Sequence, residues 1–179
     1  EAIPPDTAEL GSAAEGILQS VETLQQANRR ILDRLRPLYI QELGLERSIQ
    51  TLLQNAKAQA RDLALTSEID ARLNAIDGLL SQTVYRVIQE AVTNVLRHAR
   101  ADSLHVRAAI EDRELVVEIS DNGIGFPADP RLGRGLTGML ERVRALSGTL
   151  LLLREHGRTC VRCRLPTGDS VAAAATTET

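Results

Sequence analysis

The chain has 179 residues, 43% of them hydrophobic and 25% charged, with a net charge of −3. That length accommodates one domain of ~100 to 150 residues and an appendage. The acidic balance and 2% aromatic content argue against a nucleic-acid partner, since they offer neither a basic field nor a stacking platform for bases. No apolar run approaches the ~20 residues needed to cross a bilayer. The first residue is Glu1 and no signal-peptide pattern follows it, so any targeting or membrane-anchoring segment is expected upstream, and the fragment itself makes no membrane contact.

EAIPPD leads into a helix start at Asp6, where Glu9 three residues on completes a reciprocal cap. Leu10, Ala14, Ile17, Val21, Leu24, Asn28, Ile31 and Leu35 then recur at alternating steps of four and three. This heptad seam predicts a helical bundle across a homodimer, with the one polar seam residue, Asn28, setting register. Packing back onto its own domain is the alternative. Pro37 ends the helix, Leu38 to Leu43 reads as a short connection, and a domain boundary is expected near residue 40. Residues 1–39 are thus a partial dimerisation segment with its linker.

After Gly44, Leu45, Ile49, Leu52, Leu53 and Ala56 share one face of a second helix. Leu63 and Leu65 alternate with polar neighbours, which predicts a strand, and residues 70–77 read as a loop or short turn. The next helix carries Val84, Val87, Ile88, Ala91, Val92, Val95 and Leu96 at core spacing. Glu90, Asn94 and His98, spaced by four, form a polar stripe at the edge of that face, with Arg97 beside them. An Asn oxygen is a hard ligand suited to Mg²⁺, and His98 or Arg97 is suited to phosphate. Solvated edge residues would give the same pattern.

Beyond Arg100 the period changes to two. Leu104 to Ile110 and Leu115 to Ser120 form a hairpin around EDRE, and Leu150 to Arg154 and Thr159 to Leu165 form another around residues 155–158. Between them, Leu136, Met139, Leu140, Val143 and Leu146 mark a helix that stops at Ser147 and Gly148. Cys160 and Cys163 lie on the last strand, on opposite faces, so one belongs to the core and one to the surface, and neither a mutual disulfide nor a shared metal is expected. Reduced thiols suit a cytoplasmic compartment. Residues 167–179 read as a disordered tail.

Two glycine loops carry the remaining chemistry. In DNGIGF, residues 121–126, a carboxylate ends a strand and two glycines follow, so the backbone turns closely around a flat ligand while Asp121 accepts from an exocyclic amine. An ordinary Asn-Gly turn is the alternative. Gly133, Gly135 and Gly138 match the dinucleotide fingerprint, but the two prolines of FPADPRL replace the strand that such a site requires. A short lid feeding a helix N-terminus, suited to phosphate, fits better, with Arg131 and Arg134 adding charge.

Residues 90–99, DNGIGF and GRGLTGM resemble, in that order, the N, G1 and G2 boxes of the GHKL ATP-binding superfamily. The set is similar to bacterial sensor histidine kinases of the class that includes the nitrate and hexose-phosphate sensors. Leu35-Arg36-Pro37 and Leu43-Gly44-Leu45 also match that class, after the second helix of its dimerisation and phosphoacceptor hairpin. The resemblance implies an α+β fold: a two-layer sandwich of a mixed sheet with helices on one face, preceded by a long N-terminal dimerisation helix. It makes residues 40–166 the ATP-binding catalytic domain.

By the same resemblance Glu90 is the carboxylate residue at the head of the N box, with a catalytic-site role whose step stays open, and Asn94 the Mg²⁺ ligand. ATP is met by Asn94, Arg97, His98, Asp121, Gly123, Gly125, Gly135, Leu136, Gly138 and Thr159. A histidine acceptor and a response regulator complete the reaction. The chain departs from the pattern in its short lid and in its histidines: His98, His105 and His156 all lie outside the N-terminal helix, so the acceptor is expected upstream of Glu1 or is missing. A GHKL serine kinase or ATPase, or a non-catalytic nucleotide-binding dimerisation module, is the alternative.

Overall fold

The computed structural model describes residues 38–76, 78–126 and 133–167. By internal packing the chain divides into Glu1–Leu38 and Tyr39–Thr179. The heptad helix, the lid and the tail from residue 168 lie outside the described residues.

Leu38–Leu43 is helical (α1), a correction to the connection expected there. No Pro or Gly interrupts those six residues, and their last turn closes through the Gly44 amide on the Ile40 carbonyl at 3.1 Å. Gly44, at φ 81°, then redirects the chain into α2, Leu45–Gln59. Its own side chain provides no N-cap, so one comes from far along the chain. Asn74 Oδ1 accepts from the Glu46 amide at 3.1 Å while Asn74 Nδ2 donates to Glu46 Oε2 at 2.9 Å. A Cβ on Gly44 would lie 2.4 Å from Asn74 Oδ1, so glycine also makes room for the cap. Asn74 belongs to the 3₁₀ turn Ala71–Ala75, which Asp70 caps through the Arg72 amide.

Strand β1, Ala64–Ile69, pairs in parallel with β2, Ser103–Glu111. β3, Glu114–Asp121, pairs antiparallel with β2 and with β5, Arg158–Pro166, and β4, Thr149–Glu155, closes the far edge. The order is β1-β2-β3-β5-β4, a mixed five-stranded sheet. Both hairpins turn on two residues with positive φ, Asp112 and Arg113 in one and His156 and Gly157 in the other, the backbone that matches strand twist.

The parallel β1–β2 pair requires a crossover, which contains α3, Gly78–Asn94. Val84, Val87, Ile88, Ala91 and Val92 on α3 are buried as their spacing predicts. They meet Val106, Ile119 and Val117 from the sheet together with Leu45, Ile49 and Leu53 from α2, in one core. α4, Arg134–Ala145, adds Met139 and Val143. It ends in a Schellman arrangement with Ser147 at φ 57°, the Gly148 amide on the Val143 carbonyl and the Ser147 amide on the Arg144 carbonyl, both at 2.9 Å.

Among the described residues, the helices that share the core lie on one face of the sheet. The opposite face carries Arg107, hydrogen-bonded to Glu111, and Arg162, whose Nε lies 2.6 Å from Glu118 Oε1. Cys160 points to this face yet is buried, a correction to the core-and-surface expectation. Arg158 and Arg162 flank it on the strand and are anchored across to Ser120 and Glu118, so this stretch of the face is occupied by ordered side chains rather than open to water. Thr167, expected in the tail, is buried instead: its amide and hydroxyl both donate to the Arg113 carbonyl, at 2.9 and 2.7 Å.

Candidate functional site

On the helix-facing side of the sheet, side chains form lateral rows set by the pairing register. Val106, Ile119, Val161 and Leu152 make one row; Ala108, Val117, Cys163 and Leu150 make the next. At the opposite end of the strands the row reads Leu65, Leu104, Asp121, Thr159 and Arg154. The apolar floor thus ends in three adjacent polar residues, and this is where the loop after β3 leaves the sheet.

Asp121 is 5% exposed and Thr159 4%. One carboxylate oxygen of Asp121 accepts from the Gly123 amide at 2.8 Å, which bends the chain into the loop and leaves the other oxygen uncommitted by that bond. Thr159 Oγ1 is buried and has no hydrogen-bond partner. An orphaned buried hydroxyl costs about 1–3 kcal/mol, so its persistence beside a carboxylate points to a ligand that satisfies it.

The two glycines do different things. Gly123 packs against the end of the central helix: an added Cβ would lie 2.2 Å from the Ala99 carbonyl oxygen, whose partner is the Ile124 amide at 2.8 Å. Gly125, at φ 82°, bends the loop back over β5, and a Cβ there would lie 3.4 Å from Thr159 Oγ1. Asn122 is more than a turn former, because its Oδ1 accepts from the Asp102 and Ser103 amides at 2.9 Å each and so ties the loop to the start of β2.

The central helix changes form within the site. It is α-helical to Asn94 and widens to a π-turn over Val95–Ala99, ending at Arg100 with φ 51°. Such insertions often mark functional sites. The expected stripe therefore holds from Glu90 to Asn94, both half-buried, but is displaced beyond them, because the wider turn shifts the angular position of every later residue. Arg97 and His98 are exposed.

Glu90 reaches the third segment. A Cβ on Gly135 would lie 1.9 Å from Glu90 Oε1, so the absence of a side chain at the start of α4 admits this carboxylate. Leu136 packs on the core, whereas Gly138 faces only the mobile end of Arg142 and is not required for space. Glu90 with Gly135, and Asp121 with Gly123, Gly125 and Thr159, are thus brought together. No cluster of three or more His, Cys, Asp or Glu is gathered around a metal position among the described residues. Sequence reasoning missed Arg154 and the anchoring role of Asn122. Arg154 had one legible signal, its parity with Leu150 and Leu152, but its neighbours depend on the register of β4 on β5.

Residues 80–169 match the family model described as histidine kinase-, DNA gyrase B-, and HSP90-like ATPase, which covers half of the chain. The chain belongs to this ATPase family. It is 36% identical over 161 residues to the signal transduction histidine-protein kinase/phosphatase UhpB of Salmonella typhimurium, covering 84% of this chain and 32% of the relative. It is 30% identical over 173 residues to the sensor histidine kinase NarS of Mycobacterium tuberculosis, covering 93% and 39%. The chain thus spans about a third of the length of these relatives. In fold it is similar to the Acinetobacter baumannii histidine kinase AdeS, with a TM-score of 0.60 at 16% identity over 93% of this chain and 88% of that one. Family membership makes the described domain an ATP-binding domain of the type shared by histidine kinases, DNA gyrase B and HSP90. The mixed sheet with helices on one face agrees with the fold that the three boxes imply.

Proposed function

We propose that this chain is the catalytic core of a sensor histidine kinase, in which residues 40–166 bind ATP and present its γ-phosphate to a histidine outside that domain, for relay to a response regulator. Residues 1–39 would pair two copies into a homodimer. The observation that carries the nucleotide reading is the buried pair Asp121 and Thr159, with the Thr159 hydroxyl orphaned beneath the Gly123–Gly125 loop.

The roles follow from chemistry. Asp121 accepts from the adenine amino group with the oxygen that the Gly123 amide leaves uncommitted. Thr159 pairs with a ring nitrogen of the same base, directly or through water. Gly123 and Gly125 admit the ring face. Asn94 offers a neutral oxygen to Mg²⁺, which is held by few protein ligands and mostly by phosphates and water. Mg²⁺ would neutralise phosphate charge, the main requirement of phosphoryl transfer. Arg97 and His98 lie one helical turn beyond Asn94 and are suited to the phosphates, as is the N-terminus of α4 at Gly135, Leu136 and Gly138. Glu90, whose carboxylate lies against Gly135, would orient a polar hydrogen near those phosphates.

Calorimetric titration with ADP and a non-hydrolysable ATP analogue, with and without Mg²⁺, tests the reading. Micromolar binding assisted by Mg²⁺ is expected. Asp121→Asn should weaken it about 10- to 100-fold, because the amide presents a donor to the adenine amino group, while the variant still accepts from Gly123 and stays folded. Unchanged affinity in that variant would remove Asp121 from the base pocket.

A further inference from the structure

Arg154 ends an apolar stripe on the edge strand. Leu150 and Leu152 precede it at alternate positions and pair with Cys163 and Val161, so Arg154 faces the helix side of the sheet, opposite Thr159. Two residues from the end of a hairpin, an arginine ordinarily extends into solvent. Here the guanidinium turns back across the site, and Arg154 Nη1 donates to the Ile124 carbonyl at 2.6 Å, 30 residues away in the chain. It passes so close over Gly125 that a Cβ there would lie 1.6 Å from Nη1 and 2.8 Å from Cζ. The same vacant position is 3.4 Å from Thr159 Oγ1. Gly125 therefore serves two ends: its φ of 82° bends the loop, and its missing side chain lets a cation lie on the loop.

Ile124 is held at both ends. Its amide donates to the Ala99 carbonyl at 2.8 Å, and its carbonyl accepts from Arg154. Its side chain, 63% exposed, adds little packing of its own. The stretch between Asp121 and Phe126 is thus fastened on one flank by the central helix and on the other by β4. Releasing the second fastening frees Gly125 and everything that depends on its path over Thr159.

We propose that Arg154 is a positioning residue for the purine base: it clamps the Asp121–Phe126 loop over Thr159 and so fixes the pocket at its base end rather than its phosphate end. The proposal rests on the ATP-binding reading and deepens it. A guanidinium suits the task because it donates several parallel hydrogen bonds from a plane that also lies flat against a ring. Lysine would retain charge and a donor without the plane.

The test titrates the full chain with ADP and with a non-hydrolysable ATP analogue in saturating Mg²⁺, comparing wild type with Arg154→Met and Arg154→Lys. Arg154→Met should weaken both nucleotides equally, by roughly tenfold, since the loop loses one charge-assisted bond and the change lies away from the γ-phosphate. Arg154→Lys should recover part of that loss. An arginine with a merely structural role would lower the melting temperature and leave the affinity of the folded chain unchanged, which overturns the proposal. A loss much larger for the ATP analogue than for ADP, fading in salt, also overturns it, because it would make Arg154 a phosphate contact. Should Arg154→Met fail to fold, Arg154→Lys and Arg154→Gln carry the comparison. If wild type binds neither nucleotide, the ATP-binding reading itself fails, and that outcome is distinct from wild-type binding that the substitutions leave untouched.

Discussion

Gly123 offers a test in which space and backbone conformation can be separated. An alanine methyl there would lie 2.2 Å from the Ala99 carbonyl oxygen, 2.8 Å from its carbonyl carbon and 2.8 Å from its Cβ. Two of those three atoms are backbone at the end of the π-turn, so a side-chain rotation cannot relieve the clash and the loop must move. The move breaks the bond from the Ile124 amide to the Ala99 carbonyl, worth about 1 kcal/mol. Forcing a methyl into a packed contact adds about 1–3 kcal/mol. Together Gly123→Ala should cost roughly 3 kcal/mol, which for a chain of this size lowers the melting temperature by about 10 °C. Gly157→Ala provides the control: φ there is 78° and nothing lies within 4 Å of the new methyl, so only the left-handed backbone is penalised, by about 1 kcal/mol. Thermal unfolding followed by circular dichroism reads both. The Gly123 variant should also lose affinity for an ATP analogue, because the Gly123 amide is the partner of Asp121, whereas Gly157→Ala should retain it. A Gly123→Ala chain that melts within about 2 °C of wild type would refute the argument that close approach to Ala99, not mere turn propensity, requires glycine at this position.

Asp70 accepts from both the Arg72 side chain and the Arg72 amide, and these bonds, the side-chain ones foremost, hold its carboxyl below the usual value of 3.8. Its contribution is therefore present above pH 3.8 and is lost as pH falls through the lower folded value. Asp70→Asn should cost about 1 kcal/mol at pH 7, discounted for the exposure of Arg72, and the gap in urea midpoint between wild type and variant should narrow as pH falls below 3.8. A gap that stays constant as pH falls below 3.8 would contradict the assignment. Burial pushes the Cys163 thiol up to about 12 from 9.0. The unfolded chain then loses this proton first, so the thiol's contribution is complete below pH 9 and declines as pH rises from there towards 12. At pH 8 Cys163 should resist a thiol reagent until urea unfolds the chain, and prompt labelling of the native protein at Cys163 would show the site to be open.

Much of the fold is legible because it depends on local period. The apolar residues of α3 repeat at helical spacing and are buried accordingly, and the two hairpins are visible as alternation around short polar turns. The Leu38–Leu43 segment escaped that logic. Six residues are too few to show a period, and Pro37 before them looked like the end of all helix, although proline is equally at home at a helix start. Cys160 was misplaced for another reason. Alternation assigns a face correctly, but whether that face is wet depends on arginines anchored across the neighbouring strand.

The three glycine- and asparagine-bearing boxes, their order and the mixed α+β architecture are legible along the chain, since these rest on residue types and short-range spacing. Which of those groups meet depends on long-range pairing. The row of Asp121, Thr159 and Arg154 exists because three strands from two hairpins share one register, and a slip of one residue would send each side chain to the opposite face. The π-turn after Asn94 and the approach of Glu90 to Gly135 likewise follow from how the helix packs, not from its spacing. Periodicity along the chain fixes the direction in which a side chain points; the partners that it finds there are set by long-range pairing, which no local window contains.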